Sequence, residues 1–249
     1  VGSDGHILID TGIYSEQGLE SFKEQINQIG IQADSIDTIL ITHNHPDHYG
    51  LAPEIKEMSS GLVAMHEVDW NQAPWRNMGN DRKKNSSDPL EFMKKWYLLH
   101  GVPEMVLIGP FFPGMESDSK KRDDSRKKDE PRWDPSSLPE PDLLLKGTEV
   151  FKVGKFSVKT IWTPGHTPGH ICFYDESAKV IFTGDHILPK ITPNVSVRNS
   201  KGSDPLADYI DSVNKLKNLD VDWVFPAHEY EFADLEKRLD DLLEHHESR

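Results

Sequence analysis

Four side chains able to hold a divalent cation fall within six residues: His43, His45, Asp47 and His48 in the run His43-Asn44-His45-Pro46-Asp47-His48. Imidazole and carboxylate are the donors zinc favours in catalytic sites, where one coordination position is left for water. An exposed polar loop has no need of three histidines and an aspartate at this density. On a tight turn the alternating His43 and His45 face one ion, and the adjacent Asp47 and His48 face a second. Three more candidate donors follow. His166 lies in Thr163-Pro164-Gly165-His166-Thr167-Pro168-Gly169-His170, where Pro and Gly impose an irregular backbone. Asp185 closes Thr183-Gly184-Asp185, and His228 closes Pro226-Ala227-His228.

All of these donors follow short apolar runs, so the elements that position them are strands. Residues 6–10 read as a buried strand stopped by Thr11-Gly12, and residues 36–42 as a second that leads into the histidine cluster. Between them, Leu19, Phe22, Ile26 and Ile29 recur at helical spacing over residues 15–30, with Gly30 as the stop. A helix over 51–58 and a strand over 62–66 complete the first half. Residues 149–153 and 156–162 alternate as a hairpin about Gly154-Lys155; strands follow at 171–174 and 180–182, a helix at 205–219, a strand at 223–225 and a terminal helix. Ile7-Leu8-Ile9-Asp10-Thr11-Gly12 and Val180-Ile181-Phe182-Thr183-Gly184-Asp185 echo one another, a faint sign of a duplicated unit.

Residues 71–141 break the pattern and read as a lid-like insertion within a single domain spanning 1–249. The insertion has an amphipathic helix over 90–99 and a solvated, mixed-charge flexible loop at 116–132. Its aromatic residues Trp75, Trp96, Tyr97, Phe111 and Phe112, with Trp70 just before it, either line a pocket beneath the lid or pack on one another. The opening turn Gly2-Ser3-Asp4-Gly5 reads as part of a hairpin, and the last helix has no stop signal, so native sequence is expected beyond both ends.

With 249 residues and 36% hydrophobic content, the chain can bury a sizeable core. A net charge of -14 disfavours nucleic acid as a partner, because polyanion binding relies on clustered Lys and Arg. No run approaches the ~20 apolar residues of a membrane span, so no membrane partner is expected. One cysteine, Cys172, excludes an intrachain disulfide and fits a cytoplasmic setting. It sits mid-strand, a packing position rather than a nucleophile's. His170 and His186 flank the donor motifs and are assigned hydrogen-bonding roles; His6, His66, His100, His245 and His246 have no converging partners.

Taken in order, the elements resemble the metallo-β-lactamase superfamily over residues 7–230. The resemblance implies an α/β (α+β) fold, a four-layer αββα sandwich with metals at one edge of the sheets. It places His43, His45 and His166 on one ion and Asp47, His48 and His228 on a second, with Asp185 bridging. Two divalent ions are implied, zinc first, with manganese or iron as alternatives. Two such ions ~3.5–4 Å apart share a water, lower its pKa toward ~7 and present hydroxide to an electrophilic carbon. Asp47 and Asp185 are the catalytic carboxylates that orient this hydroxide and relay its proton. The partner is then a small acyl substrate, an ester, thioester or lactone.

Within the superfamily, His166-Thr167-Pro168-Gly169-His170 and His228-Glu229-Tyr230 resemble hydroxyacylglutathione hydrolases (glyoxalase II), whose tyrosine in this triplet contacts substrate. Tyr230 and Lys190 are therefore assigned to substrate binding. The stretch His186-Ile187-Leu188-Pro189-Lys190 departs from that branch, which has a glycine-rich segment there. Iron-dependent sulfur dioxygenases have similar ligand motifs and are the alternative, with a β-lactamase-like amide hydrolase as another. The closest zinc β-lactamases usually lack an aspartate at the place of Asp185, and flavodiiron proteins carry an acidic residue at the place of His45.

Overall fold

Strand alternation sorts the apolar side chains between two faces, and that sorting builds the layers. In the computed structural model of the chain, residues 5–73, 138–196 and 203–248 are described, and all belong to one compact unit. The insertion's lid, its charged loop and its aromatic residues from Trp75 onward lie outside the described residues.

One sheet has the order β1 (His6–Ile9), β2 (Ile36–Leu40), β3 (Leu62–His66), β4 (Leu143–Leu145), all parallel. The other runs β5 (Val150–Val153), β6 (Phe156–Trp162), β7 (Ile171–Asp175), β8 (Val180–Gly184), β9 (Trp223–Pro226), antiparallel until the final parallel pair. Helix α1 is Glu16–Gln28, α2 Pro46–Tyr49, α3 Ala52–Ser59 and α4 Glu67–Gln72; α5 is Pro205–Leu216 and α6 Leu235–Glu247.

Every residue of β7 is buried, and its period of two serves both faces. Ile171 and Phe173 face the other sheet and pack with Leu40, Ala64, Leu145 and Val158. Cys172 and Tyr174 face outward and pack with Tyr209, Val213 and Leu216 of α5 and Leu235, Leu239 and Leu242 of α6. On the opposite side α3 packs on β2 and β3. The layers are thus helix, sheet, sheet, helix, the expected αββα sandwich. No helix among the described residues is long and apolar enough to cross a membrane.

Most boundaries move by a residue or two, and three of the differences have a visible local cause. Strand β2 ends at Leu40 rather than Thr42, because the Thr42 N–H turns to Asp10 Oδ1 (2.8 Å) and its carbonyl accepts from Ile171 of the other sheet (2.9 Å). Helix α5 stops at Leu216, short of Leu219, where bonds from Lys217 to Asn214 and from Leu219 to Leu216 tighten the chain into three-residue turns. At the start of the insertion, α4 runs to Gln72, capped by the His66 ring, which accepts the Val68 N–H (3.2 Å). Strand β4 was not foreseen, since three leucines are too short for a period to show.

Candidate metal centre

The site is built where β2, β6, β8 and β9 end on one edge of the sandwich. Past Leu40 the chain bends through residues 42–44 and is extended again at His45, and this path brings the His43 and His45 rings to one place. Pro46 then starts the single turn of α2, with His48 and Tyr49 N–H groups both bonded to the His45 carbonyl at 3.0 Å. That turn sets Asp47 and His48 in a group with His228, while the His48 ring stays 3.9 Å from the His43 ring. The turn packs so closely that a Cβ on Gly50 would stand 2.3 Å from the Pro46 carbonyl oxygen.

His166 sits in a loop closed by the Thr163 N–H to His170 O bond (2.9 Å), and Gly165 there has φ of 142° against the backbone of Tyr209. Asp185 follows Gly184 (φ 50°) at the end of β8. The Ala227 N–H reaches the Gly184 carbonyl (3.0 Å), which brings His228 alongside Asp185.

All seven residues come together as two groups, and within each the donor atoms lie within 4.8 Å of one another. In the first, His43 Nε2 is 2.8 Å and His166 Nε2 3.1 Å from His45 Nδ1. Asp185 Oδ2 is 3.5 Å from His166 Nε2 and 3.9 Å from His43 Nε2. In the second, Asp47 Oδ2 is 3.4 Å from His228 Nε2 and 3.7 Å from His48 Nε2. Asp185 turns its other oxygen here: Oδ1 is 3.1 Å from His228 Nε2 and 3.3 Å from His48 Nε2. A tetrahedral ion with ~2.0–2.1 Å bonds has ligands about 3.3 Å apart, and these separations straddle that value.

The outer ring nitrogens decide which way the lone pairs point. His48 Nδ1 donates to Asp10 Oδ2 (2.8 Å), and His166 Nδ1 to the Asn194 carbonyl (2.8 Å). His43 Nδ1 meets the Thr42 hydroxyl (3.0 Å), itself bonded to Asp10 Oδ2 (2.8 Å). In each case Nε2 is left as an acceptor aimed into its group. His48 Nε2 and Asp185 Oδ1 are buried and make no well-angled hydrogen bond within the chain. Nitrogen and oxygen lone pairs converging without donors of their own suit divalent cations, so the residues fit two metals.

Without metal the two groups differ in charge: burial opposes a proton on His48, but Asp10 and Asp185 hold it well above the ordinary histidine range, so a cation in the second group displaces a proton. Burial, then the neighbouring imidazoles of His48, His45 and His166, pushes His43 well below the ordinary histidine range. Burial opposes the charge on Asp185, but His228 and His48 hold its carboxyl far below normal. Hydrogen bonds to Asp185 and Asp47 lift His228 to about 10. In the metal-free chain, protonated imidazole supplies positive charge that these carboxylates demand.

Asp10 was missed as a functional residue, although it accepts three hydrogen bonds that fix Thr42 and His48. The only signal was its place in the echo with Asp185. Asp69 was missed too; it is fully buried in α4 and bonded to both donor-bearing loops. Lys190 and Tyr230 come to each other, with Nζ 5.1 Å from the ring centroid, and the Glu229 carboxylate accepts the Lys190 N–H (3.0 Å). A cavity of about 380 Å³ adjoins the second group, and its lining includes Asp10, Asp47, His48 and His228 as well as Phe182 and Phe225. Fully buried, His170 and His186 stand beside the site rather than in either group; burial pushes His186 down to about 3, which keeps it neutral. Burial also pushes the Cys172 thiol up to about 12, as suits a packing role.

Known proteins share this architecture. Lactamase-like protein aptB of Emericella nidulans is 24% identical over 244 residues, covering 98% of this chain and 53% of that protein. An atrochrysone carboxyl ACP thioesterase of Aspergillus fumigatus is 25% identical over 156 residues, 62% of this chain and 42% of that one. The chain therefore spans about half the length, or less, of these curated relatives. Among solved structures, a metallo-beta-lactamase family protein of Thermus thermophilus superposes with a TM-score of 0.72 at 24% identity, over 99% of this chain and 72% of that one. The family profile described as the metallo-beta-lactamase superfamily matches residues 1–228, and the chain belongs to that superfamily.

Proposed function

We propose that the protein is a dinuclear metal-dependent hydrolase acting on the carbonyl of an acyl substrate, a thioester before an ester or lactone. One observation carries the reading: Asp185 divides its two oxygens between the two donor groups, Oδ2 toward His43 and His166 and Oδ1 toward His48 and His228. Two divalent cations held there supply a water acidified toward a pKa of ~7 and a polarised substrate carbonyl. Five imidazoles against two carboxylates suit zinc better than magnesium or calcium.

The chain's own residues do the rest. Asp185, buried among the imidazoles, fixes the spacing of the two groups. Asp47 has a side chain 42% exposed, at the wall of the cavity, where its carboxylate takes the proton of the attacking water and returns it to the leaving group. Phe182 and Phe225 give the acyl portion an apolar wall. Lys190 and Tyr230 hold a carboxylate or other polar group on the substrate, as the resemblance of His228-Glu229-Tyr230 to glyoxalase II suggests. The choice of thioester is supported by the printed activity of the Aspergillus fumigatus relative.

The test is a panel of acyl thioesters, lactones, aryl esters and β-lactams, assayed with the chain stripped of metal and reloaded with zinc, manganese or iron. Thioester cleavage that needs about two zinc ions per chain, and that falls by orders of magnitude in Asp185→Ala and Asp47→Ala, is the expected outcome. Iron-dependent oxygen consumption without hydrolysis, or full activity in either variant, overturns it.

A further inference from the structure

Resting on the two-cation reading, we infer that Asp69 is a positioning residue for the first donor group: its buried carboxylate clamps the loop bearing His43 and His45 to the loop bearing His166. Its Oδ2 accepts the Asn44 N–H at 3.0 Å and the Thr167 hydroxyl at 2.7 Å, and its Oδ1 accepts the Gly169 N–H at 2.6 Å. Asn44 ties back with its side-chain amide to the Asp69 carbonyl (2.9 Å). Asn44 lies between His43 and His45, and Thr167 follows His166. One carboxylate thus grips the chain next to three of the four donors of the first group, from a side chain that is 0% exposed.

The packing leaves the clamp no slack. A Cβ on Gly169 would stand 2.5 Å from the Asp69 nitrogen and 2.8 Å from Oδ1. The chemistry requires a carboxylate, not merely its shape. The Asn44 and Gly169 N–H groups can only donate, and they approach different oxygens. An amide at position 69 turns its NH₂ against one of them whichever way it is flipped, leaving a buried donor unsatisfied. Nothing here passes through the second group, whose His48 is held instead by Asp10.

A matched comparison exists in the same fold. Asp175 is also buried, and it accepts the Ser157 N–H (2.7 Å), the Ser177 hydroxyl (2.6 Å) and the Ala178 N–H (2.9 Å) at the end of β7 away from the site. Asp175→Asn imposes the same kind of conflict without touching a donor loop.

The experiment is zinc titration of the metal-stripped chain by calorimetry, with chelator competition, for wild type, Asp69→Asn, Thr167→Val and Asp175→Asn. Wild-type titrations repeated in His45→Ala and His228→Ala assign each binding event to its group. Asp69→Asn is expected to raise the Kd of the first group about ten- to a hundredfold, the usual range for a residue that orients ligands, and to leave the second within about twofold. Thr167→Val removes one of the three bonds, shifts the same Kd by less, and keeps the question answerable if Asp69→Asn does not fold. Asp175→Asn lowers the Tm and leaves both Kd values alone. Wild-type zinc affinity in the folded Asp69→Asn and Thr167→Val variants, or an equal shift in Asp175→Asn, overturns the inference while the two-cation reading stands. A wild-type chain that binds no zinc overturns both.

Discussion

Replacing Asp10 with Asn reverses the direction of a hydrogen-bonded chain, and its effect can be worked out from the contacts. Asp10 has φ of 57°, a conformation Asn tolerates as well as Asp, so the backbone is not newly strained. Oδ1 can go on accepting the Thr42 N–H (2.8 Å), which places the amide NH₂ at Oδ2, facing the Thr42 hydroxyl and His48 Nδ1 (2.8 Å each). His48 Nδ1 must then accept, so its proton moves to Nε2 and the lone pair aimed at Asp47, His228 and Asp185 is lost. The Thr42 hydroxyl must also accept, and it then donates to His43 Nδ1 (3.0 Å), which imposes the wrong tautomer there as well.

Holding His48 in the ligating tautomer against this preference forfeits a charge-assisted bond worth about 1.5–3 kcal/mol. At ~1.4 kcal/mol per tenfold this is about ten- to 150-fold in zinc Kd for the second group, in line with ~10–100-fold for such orienting residues. A smaller weakening of the first group follows through Thr42. Chelator-competition titrations of wild type and Asp10→Asn measure both constants, and circular dichroism checks the fold. A folded Asp10→Asn chain that binds two zinc ions with wild-type constants refutes the tautomer argument.

Three further outcomes follow from the fold. In Gly184→Ala a Cβ at φ of 50° would stand 2.7 Å from His170 Nε2 and 2.9 Å from Thr42 Cβ, whereas Gly30 (φ 74°) has nothing within 4 Å. Urea unfolding should therefore show a loss of about 2–4 kcal/mol for Gly184→Ala and only about 1 kcal/mol for Gly30→Ala; equal losses would mean that the contact distances are not limiting. Burial opposes ionisation of Asp175, yet Ser177, Ala178 and Ser157 hold its carboxyl below the usual range. A depressed folded pKa contributes stability above the unfolded value of ~3.9 and loses it as pH falls through the folded value. The drop in Tm between pH 7 and pH 3 should thus be smaller in Asp175→Asn than in wild type. Cys172 is fully buried, with its thiol pushed up to about 12, so iodoacetamide at pH 8 should leave it unmodified in the native chain and alkylate it in urea; rapid native labelling would place it outside the core.

The candidate donors were legible in the sequence because the capacity to ligate is a property of residue type, and strand ends can be read locally. His43, His45, Asp47 and His48 announce themselves within six positions, and His166, Asp185 and His228 each follow an apolar run. The αββα layers were legible for the same reason: alternation in 149–153 and 156–162 and short apolar runs in 171–174 and 180–182 give strand and burial together. Asp10 and Asp69 were not legible. Their neighbours in sequence are an ordinary strand end and an ordinary helix, and their work is done at separations of 32 to 38 residues for Asp10 and 25 to 100 for Asp69. A carboxylate that aims a ligand differs from a solvated one only in what it touches, and touching is decided by topology. Here β1 beside β2 brings Asp10 under Thr42 and His48, while α4 after β3 brings Asp69 between the two donor loops. The fold therefore adds to the seven donors a choice of tautomer for His48 and a fixed spacing between the first donor loops. On this reading those two aspartates set how tightly each group holds its metal.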